Sequence, residues 1–328
     1  MTQLPSLDYC REALDASGTA APGASKEDSS WVVPFRASGT RPPLFFACAG
    51  GGDALDYRDL AAALPEDQPV YSFGLPKQPV PGQFPTVESI AAIYVKKIRE
   101  IQKRGPYYLC GHSFGGLAVY HMAVLLAEQG EETGLLALLD TEHPSYTSIL
   151  PLRKRVAFHL TYVRDRIAKY SRNLLQGRID RIADDAYALF IGKYRRLAWA
   201  IGRRLFPALG REMPSQIRTN TLVLKSALRT YTPPEFGGRV VLFNVYGRTP
   251  EYKVDPLLGW KRCVTGTIDL KVVQGDHYSL LHPPHVHDLV TNMLPYLGSP
   301  ERAFPAGGSL ACSSTSPSLF PPIADLSC

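Results

Sequence analysis

The segment Tyr107–Gly116 reads YYLCGHSFGG and decides how the rest of the chain is interpreted. Its first four residues suit a buried strand, and the small residues after it open a helical pattern. Between the two, Ser113 has Gly111 and Gly115 two residues away on either side, which leaves room for a tight, strained turn. A strand–turn–helix of this kind exposes a serine beside the N–H groups of the helix. Ser113 is therefore the candidate nucleophile, and the alternative is a serine that only caps the helix.

Short β-rich runs alternate with helical patterns on both sides of this segment. The predicted strands are Pro43–Ala49, Pro69–Phe73, Tyr107–Gly111, Leu135–Asp140, Val240–Val245 and Ile268–Val273. The predicted helices are Asp56–Leu64, Thr86–Lys103, Gly115–Gln129 and Val286–Tyr296. This alternation predicts an α/β fold with a mainly parallel central sheet flanked by helices.

A long interval separates Asp140 from the next predicted strand at Val240. Within it, apolar residues such as Val156, Leu160 and Val163 recur at helical spacing. We therefore expect a helical insertion over the strand ends, a lid, at about residues 144–229. Residues 1–30 and 298–328 are rich in Ala, Gly, Ser and Pro, and they are predicted to be a flexible leader and tail around one domain at 31–297.

The composition of the chain is that of an ordinary globular protein. It has 328 residues, of which 45% are hydrophobic and 20% charged. No apolar run approaches the roughly 20 residues that cross a bilayer, so no membrane span is expected. Six scattered cysteines without metal-ligand spacing, and no signal-peptide stretch, predict a cytoplasmic protein.

Basic residues are concentrated in the insertion. Residues 144–212 carry fifteen Lys and Arg against five Asp and Glu, a balance of +10 within a chain whose net charge is +6, so the remainder sums to −4. No nucleic-acid-binding motif accompanies this charge, and nucleic acid is therefore not an expected partner. The remaining interpretations are a solvated helical face, a surface that attracts an acidic partner and a membrane-surface role, the last without support elsewhere in the sequence.

His277 is the best-placed general base for Ser113. It lies in the sequence Gly275-Asp276-His277, between the last predicted strand and the final helix. In α/β-hydrolases the chain order is serine, acid, histidine, and His277 satisfies it.

The other histidines receive no catalytic role in this interpretation. The ring of His112 is expected to point away from Ser113, and His143 and His159 are expected at the surface. A cluster near the C-terminus has no Cys or carboxylate pattern, so no metal site is expected there: His282, His285 and His287.

Three aspartates compete to orient His277. Asp140 ends a predicted strand at the same sheet edge as Ser113, although an aspartate there could also be a cap. Asp255 follows the Val240–Val245 strand, where many hydrolases of this fold carry their acid. Asp276 is less suitable because adjacent side chains rarely point the same way. Asp140 is preferred.

The first predicted strand runs into Cys48-Ala49-Gly50-Gly51-Gly52, where backbone N–H groups can approach a substrate closely. With the N–H of Phe114, such a loop can form a two-donor oxyanion hole. We select Gly50 as the second donor, with Ala49 as the alternative. A phosphate-binding loop is not indicated, because the Lys-Ser/Thr that should follow is absent.

Together these motifs resemble the type I thioesterase domains that end modular polyketide synthases and nonribosomal peptide synthetases. The matching pieces are Arg41–Phe46, the glycine-rich loop, Tyr57–Ala61, Gly105–Gly116, Leu138–Asp140 and Gly275–His277. The resemblance implies an α/β-hydrolase fold with a helical lid and a Ser113, Asp140, His277 triad. The sequence departs from the family pattern at Cys48-Ala49 and at His112.

The resemblance also implies a function. The enzyme would release an acyl, polyketide or peptidyl chain from a phosphopantetheine thioester on an acyl or peptidyl carrier protein, by hydrolysis or macrocyclisation of an acyl-serine. The expected partner is that carrier protein, the substrate-binding residues would lie in the lid, and neither a metal nor a cofactor of its own is implied. The alternatives are a serine esterase or acyltransferase with other acceptors, and a non-catalytic binding protein on the same fold.

Overall fold

A computed structural model describes residues 31–76, 84–176, 179–211, 213–214, 217–245 and 255–297. The predicted leader 1–30 and tail 298–328 lie outside these residues. The described chain builds a seven-stranded sheet in the order β1-β3-β2-β4-β5-β6-β7. Its strands are β1 (Val32–Arg36), β2 (Leu44–Ala47), β3 (Val70–Phe73), β4 (Tyr107–His112), β5 (Thr133–Leu139), β6 (Val240–Val245) and β7 (Ile268–Val273).

Six of the strands were predicted from the sequence, and β1 was not. β1 pairs antiparallel with β3 at the edge of the sheet, whereas the pairs from β3 to β7 are parallel. Pro34 lies within β1, and a proline is tolerated there because an edge strand can leave one N–H position unpaired. The predicted α/β architecture with a mainly parallel sheet is confirmed.

Eight α-helices are found in the described ranges. They are α1 (Arg58–Ala63), α2 (Val87–Ile101), α3 (Phe114–Glu128), α4 (Tyr146–Ile149), α5 (Leu152–Leu175), α6 (Ile179–Ala208), α7 (Asn220–Leu228) and α8 (Val286–Met293). Thr86 begins α2 with a capping box, since its hydroxyl accepts from the Ser89 N–H and the Ser89 hydroxyl accepts from the Thr86 N–H.

The alternating side chains of the strands divide the core between the two faces of the sheet. In β2, Phe45 packs on the face covered by α2 and α3, whereas Leu44 and Phe46 pack on the face covered by α1 and α8. Because β2 to β7 pair in parallel, the C-terminal ends of β2, β4, β5 and β7 lie at one edge of the sheet. Residues that follow these strands therefore meet.

The insertion between β5 and β6 carries α4 to α7. Trp199 of α6 is buried and packs edge-on against Phe84 with ring centroids 4.7 Å apart, and Met213 and Val223 complete this small core. On α5, by contrast, Leu152, Val156, Leu160, Val163 and Ile167 are 47–71% exposed. In the part of the chain that the structure describes, no helix combines the length and the apolar character needed to cross a bilayer.

Candidate active site

Ser113 occupies the turn between β4 and α3 with φ 55° and ψ −116°. A positive φ is costly for a residue with a Cβ atom. Among the described non-glycine residues, only Ser113, Asp140 and Leu258 have one. The Ser113 N–H donates to the Leu139 carbonyl at 3.1 Å, which ties the turn to the end of the neighbouring β5.

The two glycines around Ser113 are required by close backbone approach. A Cβ at Gly111 would lie 2.2 Å from the carbonyl carbon and oxygen of Gly115. A Cβ at Gly115 would lie 2.4 Å from the Ala47 carbonyl oxygen and 2.9 Å from that of Cys48. The glycine spacing in the sequence thus reflects how tightly α3 starts against β4 and β2.

His277 and Asp140 are in contact. His277 Nδ1 lies 2.6 Å from Asp140 Oδ2. The carboxylate side chain is 1% exposed and the imidazole side chain 37% exposed, so the acid is enclosed while the base retains access to solvent. This is the arrangement in which a carboxylate fixes the tautomer of an imidazole and stabilises its charged form.

Asp140 follows β5 directly and is held on both sides. Its N–H donates to the Phe243 carbonyl of β6 at 2.7 Å, and its φ is 44°. The next residue, Thr141, accepts from the Trp260 indole N–H at 2.8 Å through its carbonyl oxygen. The acid therefore sits in a strained, fixed position at the C-terminal edge of the sheet.

The loop of His277 is shaped by Asp276. The Asp276 carboxylate accepts from the N–H groups of Tyr278 at 2.8 Å and Ser279 at 2.9 Å. These backbone hydrogen bonds lower the pKa of Asp276. Because the Asp276 carboxylate accepts hydrogen bonds from its own turn, it stabilises the conformation of the loop that carries His277.

The three candidate residues lie at the same edge of the sheet. In the β4–β5 register His112 pairs with Leu139, so Ser113 and Asp140 each come one residue after a matched pair. The His277 ring lies against the ring of His112, with centroids 4.6 Å apart. The imidazole of His277 is thereby next to the turn that carries Ser113.

The carboxylate of Asp255, the alternative acid, is hydrogen-bonded within its own loop. Its two carboxylate oxygens accept from the N–H groups of Leu257 at 2.9 Å and Gly259 at 2.8 Å. It caps the turn that leads to Trp260.

Two further histidines make local contacts, whereas the side chain of His159, also expected at the surface, lies outside the described residues. His282 Nδ1 lies 2.7 Å from Asp59 Oδ2, and within the described ranges no three His, Cys, Asp or Glu side chains are grouped as a metal site would require. The expectation that His143 lies at the surface is wrong. It is 6% exposed, it accepts from the Ser145 N–H at 3.1 Å, and its ring packs edge-on against Trp260.

The glycine-rich loop after β2 lies beside the start of α3. The Gly52 N–H donates to the Ala49 carbonyl at 2.9 Å, which closes the loop. A Cβ placed on Gly50 would meet no atom within 4 Å, so this residue faces open space. The close approach of the Gly115 backbone to the Ala47 and Cys48 carbonyls places the loop near Phe114, the first residue of α3.

Two residues at this edge received no role from the sequence. The hydroxyl of Tyr57 contacts both β2 and β4, and the His112 ring packs on His277. Neither contact has a periodic or motif signal, because each depends on how distant segments come together in the fold.

Comparison with known proteins assigns the chain to a family. The model of the Thioesterase domain family matches residues 42–294. The Bacillus subtilis dimodular nonribosomal peptide synthase is 37% identical over 133 residues, 40% of this chain and 6% of that protein. Chondramide synthase cmdD of Chondromyces crocatus is 27% identical over 286 residues, 83% of this chain and 7% of that protein. The chain thus spans only a small fraction of these curated relatives.

Solved structures agree on the fold. The NocB thioesterase domain from the nocardicin cluster aligns with a TM-score of 0.54 at 22% identity, covering 83% of this chain and 100% of that one. The four-domain nonribosomal peptide synthetase AB3403 aligns with a TM-score of 0.57 at 21% identity, over 86% of this chain and 21% of that one. The fold is that of the α/β-hydrolases, and the chain belongs to the thioesterase domain family, with relatives among nonribosomal peptide and polyketide synthases.

Proposed function

We propose that this chain releases an acyl, polyketide or peptidyl chain from the phosphopantetheine thioester of a carrier protein through an acyl-enzyme on Ser113. The observation that carries the proposal is the 2.6 Å contact between His277 and the enclosed Asp140, beside the strained turn of Ser113. Membership of the thioesterase family supports the reaction class.

In the first half-reaction, His277 accepts the hydroxyl proton of Ser113 while the serine oxygen bonds to the thioester carbonyl carbon. The N–H groups of Phe114 and Gly50 donate to the oxyanion of the tetrahedral intermediate. The carbon–sulfur bond then breaks, and His277 returns the proton to the pantetheine sulfur. Asp140 stabilises the imidazolium throughout this exchange.

In the second half-reaction, His277 deprotonates the nucleophile that attacks the acyl-serine. Water gives the free acid, and a hydroxyl or amine of the bound chain gives a macrocycle. The carbon–oxygen bond to Ser113 breaks, and the proton on His277 returns to the serine. The insertion at 144–229 would act as a lid that limits water and orients the chain.

The carrier protein is proposed to approach the insertion through its exposed basic residues. Arg153, Arg155, Arg195, Arg203 and Arg204 are all exposed on α5 and α6. Their charge complements the phosphate of the pantetheine arm and the acidic surface that carrier proteins present.

The test is intact-mass spectrometry after mixing the protein with the N-acetylcysteamine thioester of octanoic acid, with Ser113→Ala as the matched control. We expect an octanoyl adduct on the wild-type chain, mapped to Ser113 by peptide sequencing, and none on the variant. An adduct on another residue, or hydrolysis that persists in Ser113→Ala, would contradict the proposal. Rates on an aryl octanoate ester, and products formed with added alcohols, separate a thioesterase from an esterase or an acyltransferase.

A further inference from the structure

One buried hydroxyl connects two segments of the candidate active site. The Tyr57 hydroxyl donates to the Ala47 carbonyl at 2.7 Å and accepts from the His112 N–H at 2.8 Å. Tyr57 is 0% exposed. Both partners are backbone groups, so the contact fixes main chain rather than a mobile side chain.

The two partners lie at informative positions. Ala47 is the last residue of β2, directly before the loop that holds Ala49 and Gly50. His112 is the last residue of β4, directly before Ser113. The same hydroxyl would lie 3.0 Å from a Cβ at Gly115, so it occupies the space between the loop and the start of α3.

The position of the hydroxyl is itself fixed. The Tyr57 ring stacks on Phe46 with centroids 4.6 Å apart and an interplanar angle of 22°. Burial raises the pKa of Tyr57 well above its ordinary value, so the group stays protonated. A protonated hydroxyl both donates to Ala47 and accepts from His112, and a phenylalanine could do neither.

We infer that Tyr57 is a positioning residue that sets the spacing between Ser113 and the two oxyanion donors on Phe114 and the β2 loop. The inference rests on the proposed function. Donors stabilise an oxyanion only when they lie about 2.7–3.1 Å from it, and a misplacement of about 1 Å can cost about 100-fold in rate.

Tyr57→Phe tests this role, with Tyr120→Phe as the matched control. Tyr120 is also 0% exposed and donates its hydroxyl to a backbone carbonyl, that of Pro234, at 2.8 Å. We expect kcat for an aryl ester to fall about 10- to 100-fold in Tyr57→Phe with KM within about twofold. In Tyr120→Phe, kcat should stay within about twofold of wild type even if its Tm falls by as much as the Tm of Tyr57→Phe.

Two further measurements separate positioning from general stability. Hydrogen exchange of the His112 amide should accelerate in Tyr57→Phe and stay unchanged in Tyr120→Phe. If Tyr57→Phe does not fold, Phe46→Leu loosens the tyrosine ring while retaining its hydroxyl, and a several-fold loss of kcat at constant KM is expected.

The inference is overturned if kcat is unchanged in Tyr57→Phe or in Phe46→Leu, or if both tyrosine variants lose kcat equally. Labelling by an alkyl fluorophosphonate distinguishes this failure from that of the proposed function. If the reagent does not label the wild-type chain at Ser113, both the proposed function and the positioning role are wrong. If it labels the wild-type chain no faster than Tyr57→Phe, only the positioning role is wrong.

Discussion

His277 Nδ1 and Asp140 Oδ2 lie 2.6 Å apart although the two residues are 137 positions apart in the chain. The contact joins the loop after β7 to the residue that directly follows β5. The Asp140 side chain is 1% exposed and the His277 side chain 37% exposed. A substitution of the buried acid therefore tests the role of this contact without changing how solvent reaches the imidazole.

Asp140→Asn should lower kcat by about 10³- to 10⁴-fold with little change in Tm. The amide has the shape of the carboxylate, but its NH₂ can force the wrong imidazole tautomer, and it carries no charge to stabilise the imidazolium. Steady-state hydrolysis of an N-acetylcysteamine thioester measures kcat, and thermal unfolding measures Tm.

Asp255→Asn is the matched control for the acid. Its carboxylate accepts from the N–H groups of Leu257 and Gly259, so its loss should affect stability more than chemistry. If Asp255→Asn reduced kcat more than Asp140→Asn did, the choice of Asp140 would be wrong.

The sequence was informative where local rules act. The glycines around Ser113 report a turn with close backbone contacts, and Asp140 and His277 each follow an apolar strand pattern. Since parallel strands end at a common edge, that order along the chain was enough to predict which elements meet.

The sequence did not predict features that depend on contacts between distant segments or on a strand with an atypical residue. β1 includes Pro34, whose lack of an N–H weakens any strand pattern. The Tyr57 hydroxyl bonds to residues 10 and 55 positions away, and His143 is buried by Trp260 from a later segment. No periodicity records such contacts, because they arise only when distant segments pack.

Gly50→Pro should reduce kcat by about 10²- to 10³-fold, because proline removes one N–H donor to the oxyanion. Gly50→Ala keeps the N–H, and its Cβ would meet no atom within 4 Å, so kcat should stay close to wild type. The measurement is kcat for a soluble thioester alongside Tm. If Gly50→Pro folds and keeps its kcat, the second donor lies elsewhere, with Ala49→Pro as the next variant.

Gly111→Ala should cost more than about 3 kcal/mol in the free energy of unfolding, because the added Cβ would collide with backbone atoms. Those atoms are the carbonyl carbon and oxygen of Gly115, each 2.2 Å away. The same change at Gly192 in α6, where the nearest atom is 4.0 Å away, should raise stability by up to about 1 kcal/mol. Urea unfolding compares the two variants, and equal losses would contradict the steric explanation.

Stability should fall as the pH drops below about 6.5, in part because of His143. Burial, followed by the charge of Arg262, lowers the pKa of His143 below 6.5. The unfolded chain therefore binds a proton more readily than the folded one, and the free energy of unfolding decreases until the pH passes below the folded pKa. Burial lowers the pKa of His121 as well, so His143 supplies only a share of the effect.

His143→Asn isolates that share. The asparagine oxygen can still accept the Ser145 N–H that His143 Nδ1 accepts, but it does not titrate. We expect the difference in Tm between about pH 7.5 and about pH 5 to shrink in the variant. An unchanged difference would show that His143 carries the same charge in both states.

Charge reversal on the insertion should weaken the use of carrier-bound substrate selectively. Arg195 and Arg204 are exposed on α6, and replacing both with glutamate should raise KM for a carrier-linked thioester about tenfold, through slower association. Neither charge is needed to bind a small soluble thioester, so KM for that substrate should not change.

The matched control reverses the exposed charges of Lys103 and Arg104, which lie between α2 and the start of β4 at the opposite edge of the sheet from Ser113. The change in net charge is the same, so a general effect of charge would raise KM equally in both double variants. Added salt should reduce the difference between wild type and the α6 variant, because screening weakens attraction between exposed charges. Equal KM values for the carrier-linked thioester in wild type and the α6 variant would place carrier docking on another face.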